Sequence, residues 1–232
     1  MTRHGGKVLT ERLEALGVTR VFSVPGESFL AVLDGLHDAR IENVVCRHEG
    51  GAAMMAEARG KMTGQPGVAF VTRGPGAANA SSGLHVARQD STPMVLFVGQ
   101  IARSDTDREA FQEVDYRAAF GGLAKWVAQV NSPERLVEYV DRAFSVAMSG
   151  RPGPVVLALP EDVLSAEVEV PDRPLPGARL VPDFDTVAGR LLDWLSSAER
   201  PLVVVGGPHW SQKAAADLAR FAKAQDLPVT LA

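Results

Sequence analysis

The sequence is poor in the features that mark secreted, membrane-bound and nucleic-acid-binding proteins. Cys46 is the only cysteine among 232 residues, which excludes an intramolecular disulfide and indicates a reducing compartment. Lys and Arg number 24 against 28 Asp and Glu, so we expect no nucleic-acid partner. No apolar run approaches the ~18 residues of a membrane span, and the N-terminus lacks the apolar core of a secretory signal. We therefore expect a cytoplasmic protein without a membrane partner.

Aromatic residues are also scarce, at 6% of the chain, whereas 22 Gly and 15 Pro supply many tight turns. Short apolar runs alternate with helical patterns. The runs predict strands at residues 21–24, 41–46, 67–72, 93–99, 126–130 and 154–159, and the patterns between them predict helices at 6–16, 28–39, 50–63, 77–89 and 133–149. Continuous apolar strands separated by helices indicate an α/β fold with a doubly wound parallel sheet and helices on both faces.

The chain changes character after residue 165, where the first domain, 1–165, is predicted to end. The stretch 166–182 holds four prolines and no helical period, which is typical of an extended linker. Residues 183–232 then predict two helices and two strands, at about 184–197, 202–205, 212–225 and 228–231. A piece of ~50 residues is marginal as an independent domain, so we interpret it as the incomplete beginning of a second α/β domain.

Three motifs follow predicted strands and open predicted helices, where α/β proteins place ligands. They are Val24-Pro25-Gly26, His48-Glu49-Gly50-Gly51 and the segment 72–79, TRGPGAAN. Each taken alone has a structural explanation, because a strand-to-helix turn favours Gly and Pro, and a Glu in the first helical turn interacts with the helix dipole. The second motif is not a zinc-binding HExxH, since Ala52 takes the place of the second histidine, and no other metal spacing is present.

The other candidates are weaker. Phe111-Gln112-Glu113-Val114-Asp115 has the composition of a polar surface loop. Gly206-Gly207 resembles half of a nucleotide-binding turn but lacks the third glycine and the acidic residue that would follow. Cys46 precedes Arg47 and His48, which would suit a thiolate nucleophile, but a lone cysteine at a strand end more often serves packing.

In this order, the motifs VPG, HEGGAA, TRGPGAANASSG, QDSTPMVLFVGQ and FQEVD resemble the N-terminal, pyrimidine-binding domain of thiamine-diphosphate-dependent enzymes. Acetolactate synthase large subunits are the members most similar in pattern. The resemblance runs from about residue 5 to 160, and the part from about residue 183 resembles the start of that family's middle domain. It implies thiamine diphosphate as cofactor and a 2-oxo acid as substrate, with decarboxylation or carboligation as the reaction.

The resemblance also assigns roles to individual residues. Glu49 matches the family's catalytic glutamate, which shares a proton with N1′ of the aminopyrimidine and so promotes loss of the thiazolium C2 proton. An apolar, Ala- and Met-rich setting would favour the protonated carboxyl. The positions implied to bind the cofactor are Val24, Pro25, Gly26, Glu49, Thr72, Pro75, Gly76 and Asn79. Those implied to line the active site near the substrate are Phe111, Gln112 and His85, although a histidine on a helix is more often a surface group.

Two departures from the acetolactate synthase pattern argue against acetolactate as the product. Val24 stands where that pattern has Tyr, and Arg73 replaces a small residue before GPG. The family also binds Mg²⁺ and the diphosphate through a GDG…NN signature in a C-terminal domain. This sequence has no GDG and only three asparagines, none adjacent to another, so none of its residues is nominated as a metal ligand.

The resemblance further implies a homodimer or homotetramer that associates through the pyrimidine-binding domain, with the cofactor shared between subunits. We therefore expect the chain to be the N-terminal part of a longer enzyme and to be inactive alone. Two alternatives stay open. One is a non-catalytic pyrimidine-domain subunit of a split enzyme, and the other is an unrelated nucleotide-binding α/β protein that uses Gly206-Gly207. A FAD or ADP site in the second domain is also left open.

Overall fold

A computed structural model describes residues 2–171, 174–175, 184–207 and 210–232. The chain divides into two units, Met1–Pro176 and Gly177–Ala232, each of which is described by itself. The end of the predicted linker and the predicted start of the second domain at residue 183 lie outside the described residues. That domain assignment stays a prediction.

The first unit is built on a six-stranded sheet in which every strand runs parallel to its neighbours. The strands of this unit are β1 Arg3–His4, β2 Arg20–Ser23, β3 Glu42–Val45, β4 Gly67–Val71, β5 Met94–Gln100, β6 Trp126–Gln129, β7 Pro154–Pro160 and β8 Glu167–Val168. Its α-helices are α1 Gly5–Ala15, α2 Leu30–Asp38, α3 Glu49–Thr63, α4 Pro75–Asn79, α5 Ser81–Gln89, α6 Tyr116–Phe120, α7 Leu136–Met148 and α8 Glu161–Ser165. Short 3₁₀ helices occur at Glu27–Phe29, Arg103–Asp105 and Pro133–Arg135.

The strand order in the large sheet is β3-β2-β4-β5-β7-β6. After β2 the chain moves outward to β3 and then returns to the other side of β2 to form β4. The direction of winding therefore reverses between β2 and β4. In sheets of this kind the crevice at the carboxyl ends of the two strands beside the reversal is the usual ligand site. The predicted doubly wound parallel sheet is confirmed.

Alternate residues of the strands pack against separate helical layers on the two faces of the sheet. Phe70 and Phe97 stack with ring centroids 4.8 Å apart in the layer of α1, α2, α7 and α8. Their neighbours Ala69 and Leu96 pack in the layer of α3 and α5. Because strand side chains point alternately to opposite faces, strands buried on both sides must be apolar throughout. This explains the continuous runs in the sequence.

The structure differs from the sequence prediction at several places, among them the short helices α6 and α8, which were not predicted. The helix predicted over residues 77–89 begins earlier and is divided at Ala80 into α4 and α5. The first residues of the predicted linker pack on the first unit, since Glu167–Val168 pairs with Arg3–His4 and Val170 is buried. Two-residue strands show almost no pattern in a sequence, and their pairing partner is more than 160 residues away.

The second unit contains α9 Phe184–Ser197, β9 Val203–Val205, α10 Gln212–Ala224 and β10 Val229–Leu231. The two strands pair in parallel, as expected for one βαβ unit. Among the described residues of this unit, Ala222 is the only buried apolar residue. Large apolar side chains such as Leu192, Trp194 and Leu231 are exposed, so this unit has very little core of its own.

Candidate cofactor site at the carboxyl edge of the sheet

The loops that follow β2, β3 and β4 meet at one edge of the sheet, at the reversal of winding. Gly26 follows β2, Glu49 follows β3, and Thr72 follows β4. A Cβ placed on Gly26 would lie 2.4 Å from the Cβ of Thr72. The backbone of the first loop therefore rests directly on the second. Three motifs that are far apart in the sequence thus share one site.

Glu49 is the first residue of α3, and its position is fixed from both sides. The Nδ1 atom of His48 accepts a hydrogen bond of 3.0 Å from the backbone N–H of Gly50, which caps the helix. The amide Nδ2 of Asn79 donates to Glu49 Oε2 over 2.9 Å. Glu49 itself is half-buried. Its carboxyl group is therefore oriented by a neutral donor while it stays within reach of a ligand.

Close packing beside this carboxyl group depends on Gly76, which has no side chain. A Cβ on Gly76 would lie 2.7 Å from Thr72 Cγ2 and 3.2 Å from Glu49 Oε1. The first distance is closer than carbon atoms tolerate, so any other residue would displace its neighbours. The glycine lets the backbone of α4 approach Oε1, the carboxyl oxygen that Asn79 leaves free.

Gln112 and Tyr116 hold the glycine-rich turn from the other side. Gly74 has φ +60°, which glycine adopts readily, and its N–H donates to the Tyr116 hydroxyl over 3.0 Å. Burial raises the pKa of Tyr116, which keeps this hydroxyl neutral. A Cβ on Gly74 would lie 2.8 Å from Gln112 Cβ. The structure thus places Gln112 against the glycine-rich turn, and its role near the substrate stays a prediction.

The other predicted residues are less closely connected. Pro25 and Pro75 are exposed at the same edge, and Val24 is half-buried. Phe111 is 76% exposed. His85 is exposed on α5 and takes part in none of the hydrogen bonds found in the described part of the site. Roles for these residues stay predictions.

The setting of Glu49 differs from the buried one expected. Ala52 and Ala53 of α3 are fully buried, but Met54 and Met55 of the same helix are 39% and 43% exposed. Ala53 packs against Gly83 of α5, whereas the methionines lie on the exposed side of the helix. Within the described chain, small residues rather than methionines therefore pack next to the site.

Sequence reasoning missed an ionic contact at this edge. Arg73 is only 8% exposed. Its guanidinium donates over 2.8 Å to Glu27 Oε1 and over 2.8 Å to Glu161 Oε2. The sequence singled out Arg73 as a departure from a pattern but gave no sign of its partners, which are 46 and 88 residues away. The one available signal was that all three charged residues come shortly after a predicted strand.

No group of three or more His, Cys, Asp or Glu side chains that could hold a metal ion is found in residues 2–171, 174–175, 184–207 and 210–232. Among the helices that the structure describes, none is both long and apolar enough to cross a membrane.

Comparison with known proteins agrees with the geometry. Residues 3–119, about half of the chain, match the family model of the thiamine pyrophosphate enzyme N-terminal TPP binding domain. The probable acetolactate synthase large subunit of Methanocaldococcus jannaschii is 33% identical over 97% of this chain and 39% of its own length. The acetolactate synthase isozyme 2 large subunit of Escherichia coli is 36% identical over 98% of this chain and 41% of its own length.

The mitochondrial acetolactate synthase catalytic subunit of Saccharomyces cerevisiae is 36% identical over 94% of this chain and 30% of its own length. The chain thus spans well under half the length of these relatives. The matched residues include the ends of β2, β3 and β4, where Glu49, Asn79 and the glycine-rich turn meet. From this match and this geometry, the chain belongs to the family of thiamine pyrophosphate enzymes, through their N-terminal cofactor-binding domain.

Proposed function

We propose that the chain is the pyrimidine-binding part of a thiamine-diphosphate-dependent enzyme that acts on 2-oxo acids by decarboxylation or carboligation. The observation that carries the proposal is the Glu49 carboxyl group. It is oriented by Asn79 at the carboxyl edge of the sheet and lies beside Gly76, on which a Cβ would come within 3.2 Å of Glu49 Oε1. The names of the relatives support the substrate class, because acetolactate synthases act on 2-oxo acids.

The residues at this edge fit an aminopyrimidine ring. Gly26, Gly74 and Gly76 let the loops after β2 and β4 and Gln112 pack closely together beside Glu49, so that backbone as well as side chains can approach a flat ring. The ring needs a carboxyl group to share a proton with a ring nitrogen, which Glu49 provides. When bound, thiamine diphosphate supplies a nucleophilic carbon and an electron sink for the electrons released on decarboxylation.

In this proposal the residues of the chain hold the cofactor and handle one proton. Glu49 Oε1 holds the proton that is shared with N1′, because Oε2 is occupied by the N–H of Asn79. Gln112 lies against the turn at Gly74, and the proposal assigns it to the part of the site near the substrate. Pro25, Pro75 and Val24 lie at the same edge, where the proposal has them line the ring. Each of these roles concerns binding of the aminopyrimidine ring or the position of the shared proton. None of them requires a residue that contacts the diphosphate.

The finer features of the enzyme are part of the same proposal. Mg²⁺ binds the diphosphate through oxygen ligands, which we assign to polypeptide other than this chain. A homodimer or homotetramer that associates through the first unit completes the site, and the enzyme works in the cytoplasm. Val24 and Arg73 favour a product other than acetolactate.

The proposal is tested in the full-length polypeptide that carries this chain. We expect CO₂ release from a panel of 2-oxo acids in the presence of thiamine diphosphate and Mg²⁺. The Glu49→Gln variant should lose about two orders of magnitude or more of turnover, because an amide cannot share the proton, while its circular dichroism stays unchanged. Glu42→Gln removes the same charge from an exposed side chain and should keep wild-type turnover. Near-normal turnover of Glu49→Gln contradicts the proposal.

A further inference from the structure

Arg73 links three loops at the carboxyl edge of the sheet. Its Nη2 atom donates to Glu27, just beyond β2, and its Nη1 atom donates to Glu161, just beyond β7, both over 2.8 Å. Arg73 itself comes just after β4. In the sheet, β5 lies between β4 and β7. The ion pairs therefore span the ends of four adjacent strands, and we call the three residues the edge brace.

The edge brace is poorly arranged as a stabilising device. Its guanidinium is almost fully buried, but the Glu27 and Glu161 side chains are 66% and 42% exposed. Arg73 Nε is buried and has no hydrogen-bond partner among the described residues. Burying a guanidinium costs desolvation free energy that solvent-screened carboxylates offset only in part. A packed apolar residue at position 73 would do at least as well for stability alone, so the brace calls for another explanation.

The positions of its partners supply that explanation. Glu27 follows Gly26, whose backbone rests on Thr72, and the hydroxyl of Ser28 lies 2.8 Å from that of Thr72. Arg73 is the next residue of the same turn and precedes Gly74. Residues 26–28 of the loop after β2 thus contact Thr72 and Arg73, which are consecutive residues of the loop after β4. The brace adds the only ionic contact to this set within the described residues.

We propose that Arg73 is a positioning residue. Through its ion pairs with Glu27 and Glu161 it fixes the loops after β2 and β4, against which the aminopyrimidine ring binds. This inference rests on the proposed function. Without the brace the loops keep their contacts through Thr72 and Tyr116 but lose their ionic links, so part of the binding free energy is lost in ordering them. The effect falls on cofactor affinity rather than on the chemical step, because Arg73 does not contact Glu49.

The test uses the full-length enzyme with Arg73→Met, which keeps the length of the side chain and removes its charge. Thiamine diphosphate affinity is measured by calorimetry at constant Mg²⁺. Amide hydrogen exchange is measured without cofactor. We expect affinity to fall by about tenfold, a size typical of residues that orient a binding group. Exchange should become faster at residues 24–29 and 72–79. Turnover at saturating cofactor should stay within about twofold of wild type.

Arg12→Met is the matched control. Arg12 is also buried, at 7% exposure, and pairs with Asp141 over 2.6 Å, on the helix layer away from Glu49. It should lower the melting temperature without weakening cofactor binding. An unchanged affinity in Arg73→Met overturns the proposal. So does an equal loss of affinity in Arg12→Met, since the effect would then be one of stability.

If Arg73→Met does not fold, Glu27→Gln serves in its place, because Glu27 is largely exposed and its replacement leaves the fold intact. It should weaken cofactor binding in the same direction, and wild-type affinity overturns the proposal. These measurements distinguish failure of the edge-brace proposal from failure of the proposed function. Failure of the wild-type enzyme to bind thiamine diphosphate contradicts the proposed function, whereas normal wild-type binding with normal variants contradicts only the edge brace.

Discussion

At the scale of the residue, the geometry of Glu49 depends on a contact with Asn79 that no sequence pattern expresses. The resemblance assigned both residues to the cofactor site, but not to each other. In the structure Asn79, the last residue of α4, donates to Oε2 of Glu49, the first residue of α3. The amide donor makes Oε2 the acceptor, which leaves Oε1 as the oxygen that can carry a shared proton.

We therefore expect Asn79→Ala to weaken thiamine diphosphate binding by the full-length enzyme by about tenfold, the usual cost of losing a partner that orients a binding group. The carboxyl group loses its fixed orientation but is still present, so binding should be reduced and not abolished. Ser82→Ala, at an exposed position of α5, is the matched control and should bind normally. Calorimetry distinguishes them, and equal affinities would show that Asn79 has no role in orienting Glu49.

The reactivity of the Cys46 thiol also depends on its surroundings in the folded chain. It is 8% exposed at the end of β3, and burial raises the pKa of its thiol. A raised pKa means a smaller thiolate fraction at any pH below it, and the thiolate is the reactive form. We expect Cys46 in the folded chain to react with a disulfide reagent more slowly at about pH 8 than free cysteine does. The chain unfolded in guanidinium is the control and should react at the free rate, whereas fast reaction of the folded chain would indicate an activated thiol.

At the scale of the element, α3 and α5 can lie close together because Gly83, the residue of α5 at their contact, has no side chain. A Cβ on Gly83 would be 2.4 Å from Ala53 Cβ, whereas one on Gly51 would meet nothing within 4 Å. The sequence predicted both helices and their small residues. It could not tell which glycine is required by packing, because both read as the same residue in a helical pattern.

These two glycines give opposite predictions for the same substitution. Gly83→Ala should reduce the free energy of unfolding by about 1–3 kcal/mol through overpacking. Gly51→Ala should raise it by about 0.5–1 kcal/mol, because alanine loses less backbone entropy on folding. Urea denaturation of both variants beside the wild-type chain measures the difference. A stabilising Gly83→Ala would show that α3 and α5 are not held this closely.

At the scale of the whole molecule, the two units differ in how much core they possess. Residues of β4, β5 and β7 are buried along their whole length, whereas the described residues of β9 and β10 are half-buried or exposed. Local stability follows buried apolar contacts. Each unit can therefore be expected to open with its own free energy.

Hydrogen exchange of the 232-residue chain should reveal this difference. We expect the amides of residues 203–205 and 229–231 to exchange at least about a hundredfold faster than those of β4 and β5, since few buried contacts oppose their opening. Mass spectrometry of the corresponding peptides provides the measurement, with both sets compared in one sample. Similar protection in the two units would contradict the view that the second has little core.

The sequence by itself determined where the longer strands and helices form, because the period of apolar residues is a local property, but not the short elements β1, β8, α6 and α8. It also determined that Gly26, Glu49 and the 72–79 turn follow strands. The tertiary structure decided what these residues contact. Strand order depends on pairings between distant segments, and the place of β7 beside β5 brings Glu161 to Arg73. Hydrogen bonds such as that from Asn79 to Glu49 depend likewise on how two helices pack, which a one-dimensional pattern does not record.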